Sequence, residues 1–143
     1  MQKHRLYIDH SIIPNKIICL TDSKAHYCIQ VLRLKENNII TIFNGDGYEY
    51  SAVIVEITKR TITIIPSKHS FKEIPFLRKI NIGQSLVRKE KMDMIIQKIT
   101  ELGVNEITPI ISEYTTVKLL ENRLLKKLEH WKKISQSACE QCE

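Results

Sequence analysis

Glycine is scarce in this chain, and the few glycines stand in the wrong places to cradle a nucleotide. Of four in 143 residues, Gly45 and Gly47 belong to the turn Asn44-Gly45-Asp46-Gly47, Gly83 to a strand-like run and Gly103 to a helix end. Neither a P-loop nor a Rossmann fingerprint can be drawn from them. Cysteine is equally rare: Cys19, Cys28, Cys139 and Cys142 are too scattered for a disulfide scaffold and read as reduced thiols. Cys139-x-x-Cys142 has the spacing of a zinc knuckle or a redox pair, but a structural zinc needs four ligands and no second pair is suitably spaced. The histidines are isolated from one another, so no metal is expected. No apolar run is long enough to span a bilayer, and the start MQKHRLYIDH has no signal-peptide core. The expected location is cytoplasmic, away from membranes.

Charge is plentiful, and of one sign. Lys and Arg exceed Asp and Glu by six, with a pI near 9.2, as expected of a protein that meets a polyanion. Nucleic acid is the leading partner. A membrane surface fits less well, because the basic residues do not gather on one face of an amphipathic helix. Lysine enrichment for solubility alone remains open beside it.

The chain falls into two parts. In the first, RLYI (5–8) and IICL (17–20) are strand-like, separated by the turn signal Pro14-Asn15. Thr21 or Asp22 caps a short helix through Leu32, with Ala25, Ile29 and Leu32 on one side. Ile39–Phe43 and Tyr48–Ile57 form a hairpin around Asn44-Gly45-Asp46-Gly47. A further strand spans Thr61–Pro66. Short strands, tight turns and one small helix describe a compact β-barrel over residues 1–70. The stretch PSKHSFKEIPFLR (66–78) has no sustained periodicity, and the linker is placed at 71–78.

The second part, 79–143, is organised around a strand–helix–strand unit. Ile80 and Ile82 lead into Ser85-Leu86-Val87. Met92, Ile95, Ile96, Ile99 and Leu102 share one helix face, and Gly103 ends that helix in a left-handed conformation. Val104, Ile107, Ile110 and Ile111 make the second strand, and so long a connection favours parallel pairing. After a polar loop, Ser112–Lys118, a long helix carries the stripe Leu120, Leu124, Leu128, Trp131, Ile134 and Ala138. Two strands and two helices make an undersized α/β layer. Within it, Lys98 and Glu101 read as a surface ion pair and not as acid–base chemistry.

The basic residues sit mostly at turns and strand ends, where they can reach phosphates: Lys3 and Arg5, Arg33 and Lys35, Lys59 and Arg60, Lys68 and Lys72. Arg88, Lys89 and Lys91 stand at a helix N-terminus, where the macrodipole disfavours cations and an anion would relieve them. A solvated turn compensated by Glu90 is the alternative.

These residues in this order resemble a known family. His26, Val31-Leu32-Arg33-Leu34-Lys35, Phe43-Asn44-Gly45, Gly83-Gln84-Ser85-Leu86, Lys91-Met92-Asp93, Gln97-Lys98, Glu101-Leu102-Gly103-Val104, Pro109, Trp131-x-Lys133-Ile134 and Ala138-Cys139-Glu140-Gln141-Cys142 are similar to the 16S rRNA (uracil-N3)-methyltransferases of the RsmE family. The resemblance implies a PUA-like RNA-binding barrel followed by an α/β SPOUT domain whose C-terminal knot binds S-adenosylmethionine. It also implies a homodimer, with a uridine of 16S rRNA in the small ribosomal subunit as substrate. RNA contacts are expected from Arg5, His26, Arg33, Lys35, Arg88, Lys89 and Lys91, with catalytic residues unassigned. Two departures stand out. Ser112-Glu113-Tyr114 replaces the usual Ser-Glu-Arg, and the family continues beyond the position of Glu143 into the cofactor site. The SPOUT domain is therefore expected to be incomplete, no cofactor-binding residue is expected here, and this chain alone is expected not to methylate. The alternative is a non-catalytic RNA-binding protein or a truncated remnant of the enzyme.

Overall fold

The computed structural model describes residues 4–71, 79–113 and 121–142. They form two units, Met1–Ile74 and Pro75–Glu143. This division falls inside the expected linker, of which residues 72–78 lie outside the described ones.

Unit one is a five-stranded sheet in the order β1-β3-β4-β5-β2. Its strands are β1 (Arg5–Tyr7), β2 (Ile18–Leu20), β3 (Ile39–Phe43), β4 (Tyr48–Ile57) and β5 (Ile62–Phe71). β3, β4 and β5 form an antiparallel meander. β2 adds antiparallel to β5, and β1 adds parallel to β3. Period-two alternation turns Ile42, Ile54, Ile62 and Ile64 inward, each without solvent exposure. Leu6 of β1 and Ile18 and Leu20 of β2 join the same cluster, so the sheet curls around one core.

Two expectations need correction. The sheet is a curled half-barrel and not a closed barrel: among the described residues β1 and β2 are its edges, and these three-residue strands pair only inward. The strand expected to stop at Pro66 runs on to Phe71. Pro66 is tolerated because it pairs with Ala52 beside a register shift between Tyr50 and Ala52, where a missing N–H breaks no regular ladder. Its carbonyl accepts the Asn15 N–H at 2.7 Å.

Between β2 and β3 runs the helix α1 (Asp22–His26), which widens into a π-helical segment at Tyr27–Val31. The expected helix is present with Thr21 at its N-cap position, but the Thr21 side chain makes no capping bond. Its hydroxyl donates instead to Asp22 Oδ2 at 3.0 Å. Ala25 and Cys28 are buried in the core, and Ile29 and Leu32 pack against it. The wider turn follows from Leu32 N–H reaching the Tyr27 carbonyl at 3.0 Å.

In unit two, β6 (Asn81–Ser85) and β7 (Glu106–Ile110) pair in parallel, as the long connection requires. The helix between them is α2 (Lys89–Glu101), and α3 spans Glu121–Gln141. Gly103 ends α2 at φ +77°. At Gly83 of β6 a Cβ would lie 2.8 Å from Ile110 Cδ1, so the bare backbone makes room for that side chain. Leu86 and Val87 lie beyond β6 and not within it, with the Leu86 N–H still held by the Ile110 carbonyl at 2.9 Å. Leu86, Met92, Ile96 and Trp131 are the core, with Val87, Ile107 and Ile134 against it. Leu102, expected on the apolar face, is exposed, because the helix has already turned into its cap there. Ile111 likewise falls past the end of β7. Leu120 lies outside the described residues.

Truncating Met92, wholly buried against Trp131, is expected to destabilise unit two by about 2–5 kcal/mol. The chain's single tryptophan reports it. Urea titration followed by Trp131 emission should show Met92→Ala exposing the indole at lower denaturant than the parent.

Candidate nucleic-acid interface

The cations expected to meet a polyanion divide by what they already touch. Arg5 is largely spoken for. Its Nη2 donates to Glu49 Oε1 at 2.7 Å, and its guanidinium stacks over the Phe43 ring at 4.8 Å. His26, Arg33 and Lys35 differ: all are exposed, on or just after the helical segment.

Backbone bonds hold Arg33 in place. Leu32 N–H donates to the Tyr27 carbonyl and Leu34 N–H to the Cys28 carbonyl, each at 3.0 Å, so Arg33 is clasped against the end of the π-helical turn. It takes φ +53°, the left-handed position that ends a helix and that glycine normally fills. Beyond it, Lys35 N–H donates to Asn38 Oδ1 at 2.8 Å, and Asn37 N–H to the Ile54 carbonyl at 2.8 Å, tying the loop to β4. The loop's carboxylate, Glu36, accepts the Ile57 N–H at 3.1 Å and is drawn toward β4. The Arg33 and Lys35 side chains keep no carboxylate partner among the described residues. Lys24 is engaged with Asp9 at 3.7 Å and the Tyr7 ring at 5.7 Å. The Asp9 carboxyl sits below its ordinary range, held there first by its hydrogen bond with His10 and next by Lys24.

In unit two, Arg88 precedes α2 in an extended conformation, and Lys89 and Lys91 open its first turn, all exposed. Glu90 shares that turn. Lys59 and Arg60 are exposed at the β4–β5 bend. Lys3, Lys72, Tyr114 and the Lys68 side chain lie outside the described residues. Each unit thus carries its own exposed cations.

Sequence reasoning missed one bridge. His130 of α3 meets Asp93 of α2 at 2.9 Å, and the other Asp93 oxygen, Oδ1, is buried with no partner among the described residues. The expected Lys98–Glu101 pair is present at 2.7 Å, and Gln97 Nε2 donates to the second carboxylate oxygen at 2.9 Å. Lys98 first, then Gln97, lowers the Glu101 carboxyl from its ordinary 4.5.

A small cleft in unit two, about 190 Å³, is lined by Ile96, Ile107, Pro109, Leu128, Trp131, Lys132 and Ser135. It is narrower than the roughly 300–1,000 Å³ of small-molecule sites and offers few polar groups to a nucleoside or an amino acid. This cleft by itself therefore does not fit S-adenosylmethionine. Among the described residues, no group of three or more His, Cys, Asp or Glu side chains is placed to hold a metal, and no helix is long and apolar enough to cross a membrane.

Comparison with known proteins adds family to geometry. Residues 20–67 match the RNA methyltransferase PUA domain, and residues 72–143 match the RNA methyltransferase domain. Ribosomal RNA small subunit methyltransferase E of Buchnera aphidicola subsp. Schizaphis graminum is 41% identical over 141 residues, 96% of this chain and 56% of that protein. Its Bacillus subtilis counterpart is 31% identical over 124 residues, 85% of this chain and 48% of that protein. The crystal structure of ribosomal RNA small subunit methyltransferase E from Neisseria gonorrhoeae, bound to S-adenosyl methionine, superposes with a TM-score of 0.90 at 31% identity. That match covers 98% of this chain and 57% of the other. The chain thus spans about half the length of the curated relatives it matches.

The Glu101 shift predicts a pH window. A lowered carboxylate stabilises the fold above the ordinary pKa of 4.5, and that contribution fades as pH falls below it. Lys98→Met should move the Glu101 titration, followed by carboxyl NMR, back up toward 4.5. An unmoved midpoint would assign the shift to Gln97 alone.

Proposed function

Because this chain belongs to the RNA methyltransferase family, that of ribosomal RNA small subunit methyltransferase E, we propose that it supplies the RNA-binding domain and the first part of the catalytic domain of an S-adenosylmethionine-dependent enzyme. The substrate is 16S rRNA in the small ribosomal subunit, and the acceptor is N3 of a uridine. The observation that carries this reading is the tandem match, in which the curled sheet and the βαβ unit each correspond to one domain of the same enzyme class. In this proposal unit one is the PUA-like domain, residues 1–70, and 79–143 opens a SPOUT domain that dimerises in the cytoplasm. The cofactor supplies the methyl group when bound.

N3 lies on the Watson–Crick edge of uracil, so the base must be unpaired or extruded before it can react. It must also lose its proton, which calls for a positioned base or a charge-stabilising environment. What these residues do in that scheme is bind. His26, Arg33 and Lys35 in unit one, and Arg88, Lys89 and Lys91 in unit two, meet RNA phosphates. Arg5 plays a lesser part, since its guanidinium already holds Glu49 and Phe43. Exposure supports this division, because a cation that makes no ion pair among the described residues gives up no internal bond when a phosphate arrives.

Affinity of the 143-residue chain for small-subunit rRNA, measured by fluorescence anisotropy across a salt series, should fall linearly on logarithmic axes. Replacing Arg33 and Lys35 together by Ala should weaken binding and flatten the slope by about one for each lost phosphate contact. Equal affinity and equal slope in that double variant would remove unit one from the RNA-binding account.

A further inference from the structure

The helical segment has an outer face that phosphate binding leaves unexplained. Its inner side is spent on the core through Ala25, Cys28, Ile29 and Leu32. The outer side presents His26, Tyr27, Gln30 and Val31 to solvent, with Tyr27 37% and Val31 61% exposed. An exposed tyrosine alone is ordinary. Here it is joined to a second observation, a cation six residues on whose backbone is held at a positive φ. Leu32 and Leu34 are bonded to the carbonyls of Tyr27 and Cys28, so Arg33 projects from the end of the same turn. At φ +53° glycine would be the easier residue, and strain of this kind gathers where a side chain is needed. The Tyr27 ring makes no ring contact among the described residues, and Glu36, the nearest acid in sequence to the two cations, is occupied by Ile57.

We infer that this face seats single-stranded RNA, with an unstacked base lying on the Tyr27 ring, Val31 extending the apolar shelf, and Arg33 and Lys35 holding the flanking phosphates. The inference rests on the RNA-binding reading above and names the class of RNA that unit one takes. An aromatic platform beside unpaired cations is the combination that holds single strands, since every base offers a π-face and stacking tolerates any sequence. A duplex offers phosphates but keeps its base faces stacked inside, where a tyrosine on a convex helix cannot reach them. Gln30, on the same outer face, has the donors and acceptor to meet a base edge.

The test uses the whole 143-residue chain and one RNA sequence in two forms, a labelled single strand and its blunt duplex. The single strand is expected to bind more tightly. Tyr27→Ala should weaken it roughly tenfold, the scale of one lost base–aromatic stack, while Tyr27→Phe, which keeps the ring, should retain most of the affinity. Arg33→Gly should bind the single strand more weakly and melt at the same temperature or higher, because glycine removes the left-handed strain. If Tyr27→Ala binds like the parent while the Arg33 and Lys35 double variant does not, the stacking platform is wrong and the RNA-binding reading stands. If neither variant loses affinity, the inference fails and unit one leaves the RNA-binding account. A duplex bound as tightly as the single strand overturns the inference. So does a Tyr27→Ala variant that changes only self-association in sedimentation, which would make the face a seat for a second copy of the chain.

Discussion

The fold of the first unit depends on keeping a row of isoleucines dry. Ile42, Ile54, Ile62 and Ile64 come from the three strands of one antiparallel meander and are fully buried, each worth about 1.5–3 kcal/mol against exposure. A flat three-stranded sheet would leave that face half open to water. Register shifts in the β4–β5 ladder help the sheet curl, and the edge strands close around it with Leu6, Ile18 and Leu20. The remaining gap is filled by Ala25 and Cys28, which is why a helical segment sits there at all. Its outer face, and everything that face could bind, is the far side of a plug in the core.

The surface follows a simple economy. Acids and bases that meet inside a unit are removed from the pool available to a partner: Arg5 with Glu49, Lys24 with Asp9, Lys98 with Glu101, His130 with Asp93. Glu36 keeps its charge but is held toward β4 by a backbone N–H. What is left over is positive on both units. The excess of six positive charges divides equally, three on each unit.

Much of this was legible from local pattern. The β3–β4 hairpin could be placed to the residue because Asn44-Gly45-Asp46-Gly47 fixes the turn and the flanking alternation fixes both arms. Gly103 and the apolar spacing of α2 likewise made parallel pairing of β6 and β7 the natural outcome. What stayed hidden was non-local. Whether Pro66 ends a strand depends on a bulge made with Ala52, and Arg5 looked free because Glu49 stands 44 residues away. The Asp93–His130 bridge spans 37 residues and two helices. Closure of a barrel cannot be read from strands one at a time, since it depends on whether the edges meet. The outward position of Tyr27 and Val31 was implicit in the spacing of Ala25, Ile29 and Leu32, but the widened turn and the left-handed Arg33 were not.

The sheet order also sets a timetable for synthesis. β1 waits for β3, and β2 waits for β5, since Cys19 pairs with Thr63. At roughly 5–20 residues per second, the stretch between β2 and its partner takes about 2–9 s to leave the ribosome. Until then β2 is an apolar segment with no ladder to join.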